Sequence, residues 1–128
     1  MFRADFYRTV LPDRVERACA ARASRIPVVG FHLADGVTLD VCHIVHLADT
    51  WLAVATYRDS ATCEEMDFAF MSYESVVRIT LSLQDPKARR LGFNPAASRK
   101  STDSFSAGDA LVGHSLPGSN AGGEGKVD

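Results

Sequence analysis

Three sets of side chains in this sequence are of types that do chemistry. Cys42-His43…His46 offers a thiol and two imidazoles to a metal, Glu64-Glu65 pairs two carboxylates, and Trp51 and Tyr73 offer aromatic faces to a planar ligand. Spacing decides among them. On a strand, Cys42 and His46 share a face but stand about 13 Å apart, and His43 points the other way. A zinc ion, with ligands at about 2.0–2.3 Å, does not join them without a sharp bend, so no metal site is expected. His43 is read as an inward histidine and Cys42 as a small hydrophobe. Glu64-Glu65 falls in a polar stretch and reads as a solvated charge run. No G-x-S-x-G elbow or phosphate-cradling glycine loop accompanies the serines, so a non-catalytic protein with no cofactor is expected. Aromatic stacking remains, and a base stacked on an aromatic is worth roughly 1–3 kcal/mol. A Trp51 packed within the fold or against another subunit is the competing reading.

The elements that must position these residues follow from periodicity. From about Pro12 to Arg25 the spacing of Leu11, Val15, Ala18, Cys19 and Ile26 predicts a helix, with Phe2, Phe6 and Val10 extending its apolar stripe backwards. Proline suits the first turn, Asp13 and Glu16 the positive end of the dipole, and Arg22 and Arg25 the other end. After Pro27 the period drops to 2. Val29, Phe31 and Leu33 alternate up to Asp35-Gly36, a hairpin signal that asks both central residues to accept positive φ. The return strand is long, placing Val37, Leu39, Val41, His43, Val45 and Leu47 on one face and Thr38, Asp40, Cys42, Ile44 and His46 on the other. Trp51–Tyr57, a strand marked by Met66, Phe68 and Phe70, and one marked by Val77, Ile79, Leu81 and Leu83 complete the set. Arg58–Glu65 is read as a loop and Ser72–Ser75 as a tight turn. The expected fold is mainly β: an N-terminal helix, then five antiparallel strands bent strongly into a small barrel.

The chain has 128 residues and a formal net charge of −2, unevenly spread. Residues 1–83 hold eight arginines, no lysine and eleven acids, a net −3, whereas the stretch from Lys87 to Lys100 holds five bases and no acid. Residues 1–83 are therefore expected to form the domain, 84–100 a basic linker, and 101–128 a disordered Ser/Gly-rich tail. A near-neutral total thus leaves room for a nucleic-acid partner, with phosphate contacts expected from Lys87, Arg89 and Arg90. No membrane-length apolar run or secretory leader is visible, and three cysteines without a CxxC pair suit a reducing, cytoplasmic setting.

The order helix–five strands, with Arg25-Ile26-Pro27-Val28 at the helix exit and Leu33-Ala34-Asp35-Gly36-Val37-Thr38-Leu39 at the first hairpin, resembles the Sm-like fold. Within it the sequence is most similar to the bacterial Hfq RNA chaperones. Asp49-Thr50-Trp51 resembles that family's Asp-Gln-aromatic turn, and Ser75-Val76-Val77-Arg78-Ile79 its second motif; the likeness spans about residues 12–80. The resemblance implies a homo-oligomeric ring, six subunits in Hfq, joined between the fourth strand of one subunit and the fifth of the next. It implies single-stranded RNA as partner and places Trp51 at the base-stacking position, Ser72 and Tyr73 at the pore turn, Arg22 and Arg25 at the basic rim, and His32 on the purine-binding face. Ser72-Tyr73-Glu74 stands where the family has Tyr-Lys-His, and Val41 stands where it has a glycine. These exchanges remove positive charge from the pore and move the expected affinity to the rim and the basic segment. An Sm-type ring that serves as an assembly or protein-interaction module without RNA is the alternative expectation.

Overall fold

Helix formation starts ahead of Pro12, along the backward extension of the apolar stripe. In the computed structural model, which describes residues 1–104 and their side chains through Arg99, a π-helical turn at Phe6–Val10 leads directly into α1, Leu11–Ala21. Tyr7, Leu11, Pro12 and Val15 are buried, and Phe2 and Phe6 pack against the same core, whereas Val10 turns to solvent. The helix ends at Ala21 rather than near Arg25. The Arg22 amide closes it on the carbonyls of Ala18 and Cys19, and Pro27 biases the residues before it toward extended backbone.

Five antiparallel strands follow: β1 Ile26–Leu33, β2 Thr38–Leu47, β3 Trp51–Tyr57, β4 Met66–Ser72 and β5 Val76–Gln84, with a 3₁₀ turn at Tyr73–Ser75. Their order across the sheet is β4-β3-β2-β1-β5. The sheet is open: β4 and β5 form its two edges, and no ladder joins them within the chain. The first hairpin also differs from the two-residue turn expected. Gly36 alone takes positive φ, +92°, its amide bonds the Leu33 carbonyl, and the Leu33 amide bonds the Val37 carbonyl at 2.8 Å. The loop is therefore three residues long, with glycine in the left-handed position that closes such hairpins.

Strict alternation fails in β2, which carries two bulges. Val41 faces Thr56, then His43 faces Ala55, Ile44 faces Val54, and His46 faces Ala53. Cross-strand partners share a face, and Val54 is fully buried in the core. Skipping Cys42 therefore turns Ile44 into the core and His43 outward, the reverse of the expected assignment; skipping Val45 restores the phase at His46 and Leu47. Two slips of one residue cancel, and they bend the long strand.

The expected basic linker is not a linker. Residues 85–94 fold back over the ends of β1, β2 and β3 and lead into α2, Pro95–Ser104, which packs on β2 and α1. Gly92 lies so close to β1 that a Cβ would stand 1.9 Å from the Pro27 carbonyl oxygen. The amides of Phe93 and Asn94 bond the carbonyls of Pro27 and Cys42 at 2.8 and 2.7 Å, and the Phe93 ring joins the core. Ser98, fully buried, accepts the Ile44 amide at 3.0 Å. Residues 101–104 continue α2, and the remainder of the expected disordered tail lies outside the described residues. No helix among the described residues is long and apolar enough to cross a membrane.

Candidate functional site

The turn between β2 and β3 delivers Trp51 to the corner of the sheet. Trp51 faces Ser72, and Ala53 behind it faces Phe70 on one side and His46 on the other. Because Ala53 is small, the indole spans the gap, with ring centroids 5.2 Å from His46 and 6.1 Å from Phe70. Trp51 keeps 38% of its surface exposed and Phe70 keeps 71%, while His46 is nearly covered. Burial lowers the His46 pKa, as it does that of His43. Phe68, two residues along β4 on the same face, is 65% exposed. The corner is thus an exposed aromatic row resting on a neutral imidazole.

Tyr73 is close in sequence to this row but absent from it. The ring is 4% exposed, stacks on Tyr7 at 5.8 Å, and donates its hydroxyl to the Ala48 carbonyl at 2.6 Å. Burial raises its pKa. A base therefore has no face of Tyr73 on which to stack, and the expected Trp51–Tyr73 sandwich is replaced by Trp51–Phe70. The 3₁₀ turn imposes this change by directing Tyr73 inward to close the Ala48–Thr50 turn. Ser72 is exposed and lends its carbonyl to the Ser75 hydroxyl.

The basic residues divide. Arg22 and Arg25 are exposed at the exit of α1, without an ion pair among the described residues. Arg89 is 6% exposed, donates to Asp40 Oδ1 and to the Leu91 carbonyl, each at 2.7 Å, and lies 5.2 Å from the Tyr57 ring centre. It clamps the folded-back segment and does not reach a phosphate. Arg90 bonds the Thr62 carbonyl and approaches Glu64 at 4.0 Å, Arg99 pairs with Glu16, and Lys87 remains exposed. Three of the cations of this stretch, Arg89, Arg90 and Arg99, are thus engaged with the body of the domain.

His32 lies on the outer face of β1, its two ring nitrogens each 3.1 Å from a threonine hydroxyl, Thr38 and Thr80. A cleft of about 300 Å³ adjoins it, lined also by Gly30, Asp40 and Ser60. Cys42 and His43, brought together by the first bulge, lie 3.3 Å apart from Sγ to Nδ1. Burial raises the Cys42 pKa, which keeps that thiol protonated at neutral pH.

Sequence reasoning did not single out Phe68 or Phe70, and it weighed His46 only as a metal ligand. The available signal was that β4 is apolar on both faces: Met66, Phe68 and Phe70 alternate with Ala69 and Met71, and one face suffices for a core. The fold defines a mainly β protein, a five-stranded antiparallel sheet with an N-terminal helix. No family model, curated protein or solved structure matches the chain.

Proposed function

We propose that the protein is an Sm-like, non-catalytic single-stranded RNA-binding protein that assembles into a homomeric ring by adding β4 of one copy to β5 of the next. The observation that carries the assembly is the open sheet, whose two edges have no partner strand among the described residues. Unpaired edges invite strand addition, and two different edges at opposite ends of one sheet make a head-to-tail contact that closes when the rotation allows. The order β4-β3-β2-β1-β5, with a 3₁₀ turn linking the two edges, suits the bent barrel that the Sm-like resemblance implies.

RNA is held by stacking on Trp51 and Phe70, with phosphate contacts from Arg22, Arg25 and Lys87 and a second contact at the His32 cleft. Titration with uridine-rich and adenosine-rich oligomers at low salt tests this reading. Binding weakened roughly 5- to 100-fold by Trp51→Ala is expected, as is a steep loss with salt. An absence of binding contradicts it.

A second reading is favoured by the burial of Tyr73 and Arg89 and by the carboxylates Asp49 and Glu74 flanking the aromatic corner. Under it the ring is an assembly module without RNA, and the same titration is flat while the oligomer persists.

A further inference from the structure

The two faces of the sheet continue through both of its edges, and this sets what meets what when copies join. On β5, Ile79 and Leu81 face Phe31 and Val29 over the core, so Arg78, Thr80 and Ser82 occupy the outer face opposite His32, Gly30 and Val28. Thr80 is engaged by His32, and Ser82 is short. Arg78 is therefore the charged side chain on that face of β5, where Gln84 is neutral; it is exposed and has no ion pair among the described residues. On β4, Leu52 and Val54 of the neighbouring strand mark the core face through Met71 and Ala69, so Phe68 and Phe70 stand on the outer face.

The charges of the two edges are complementary. β4 carries Asp67, is preceded by Glu64 and Glu65 and holds no cation, whereas β5 itself holds a single charged residue, Arg78; Glu74 lies in the turn between the two strands and Asp85 follows β5. Arg58, beside β4, is already held by Glu65 and Asp67. A guanidinium over an exposed phenyl face is a favourable cation–π contact, stronger once neighbouring strands exclude water.

We propose that Arg78 of one copy lies over the Phe68–Phe70 row of the next, a clamp on the outer face of the seam where β5 of the first adds to β4 of the second. The clamp rests on the edge-to-edge assembly proposed above, and it selects the β4–β5 pairing over the like-with-like pairings. Two β4 edges would set acid against acid, and two β5 edges would set arginine against arginine, each disfavoured by like-charge contact.

The test uses the full chain in sedimentation velocity across a concentration series. Wild type is compared with Arg78→Met, with Phe68→Leu/Phe70→Leu, and with all three changes together. All three substituted positions are exposed in the single chain, and a thermal melt by circular dichroism verifies that each variant folds. The expected result is an oligomeric wild type whose association per seam falls roughly 2- to 30-fold in Arg78→Met and in the phenylalanine pair. The triple variant falls little further than the phenylalanine pair alone, because the arginine has then lost its partner. A monomeric wild type overturns the assembly. An oligomer unchanged by Arg78→Met, or fully additive losses, overturns the clamp and leaves the assembly standing.

Discussion

Tyr7 and Tyr73 stack on one another in the core, yet their hydroxyls differ. Tyr73 bonds the Ala48 carbonyl, whereas the Tyr7 hydroxyl is buried with no hydrogen-bond partner among the described residues. Removing a bonded hydroxyl costs about 0.5–1.5 kcal/mol, and removing an unbonded buried one is neutral or stabilising. Tyr73→Phe is therefore expected to lower the denaturation midpoint, and Tyr7→Phe to leave it unchanged or raise it; equal losses in both would contradict the assignment. Arg89 is the residue whose role changed most between composition and coordinates. Truncating it to Ala leaves the largely covered Asp40 carboxylate with the Ser60 hydroxyl but without its cation, and is expected to cost about 3 kcal/mol in urea denaturation. A surface phosphate ligand would cost almost nothing. His43 and His46 both have lowered pKa values through burial, so the unfolded chain takes up their protons first. Stability is then full above the unfolded value of about 6.5 and falls as pH drops through the lower folded values. Thermal midpoints measured from pH 7.5 to 5 should decline, and less so in His46→Asn.

Among the elements, those governed by local rules were legible in the sequence. The helix through Pro12, a hairpin at Asp35-Gly36 and the strands flanking Thr50 and Ser75 follow from a first-turn proline, turn residues and period, although the hairpin loop is one residue longer than those signals ask. The bulges at Cys42 and Val45 were not, because a bulge depends on what the partner strand offers and leaves no mark in apolar alternation. The stretch 85–94 was misread for a similar reason. Pro86, Pro95 and a run of bases look like a solvated linker until Asp40, Pro27 and Tyr57, all distant in sequence, supply its partners. Of the site, Trp51 was legible from its place after a turn, but Phe70 was not, since only the β3–β4 register brings it alongside. The folded-back segment can be probed through Gly92. Gly92→Ala drives a Cβ into the Pro27 carbonyl and is expected to release the segment, raising trypsin cleavage at Lys87, Arg89 and Arg90 many-fold. Gly36→Ala meets no neighbour and bears only the strain of its positive φ, about 1 kcal/mol, with no gain in cleavage there. Similar cleavage in both variants would mean the segment is not held by this close approach.

For the whole molecule, the proposed function rests on a sheet whose two unlike edges have no partner strand among the described residues. In the proposed assembly, the acids about β4 and Arg78 on β5 would favour head-to-tail contact over random aggregation. Closure would also set the α1 arginines of every copy in a circle, so that several weak phosphate contacts act on one strand of RNA. The most direct measurement of this account is the mass of the full-length protein in solution, by light scattering coupled to size exclusion, over a range of concentrations at moderate salt. A closed ring predicts a single species of fixed stoichiometry, six chain masses if it follows the Hfq pattern, that does not grow with concentration. A monomer at every concentration, or a dimer that goes no further, would contradict it.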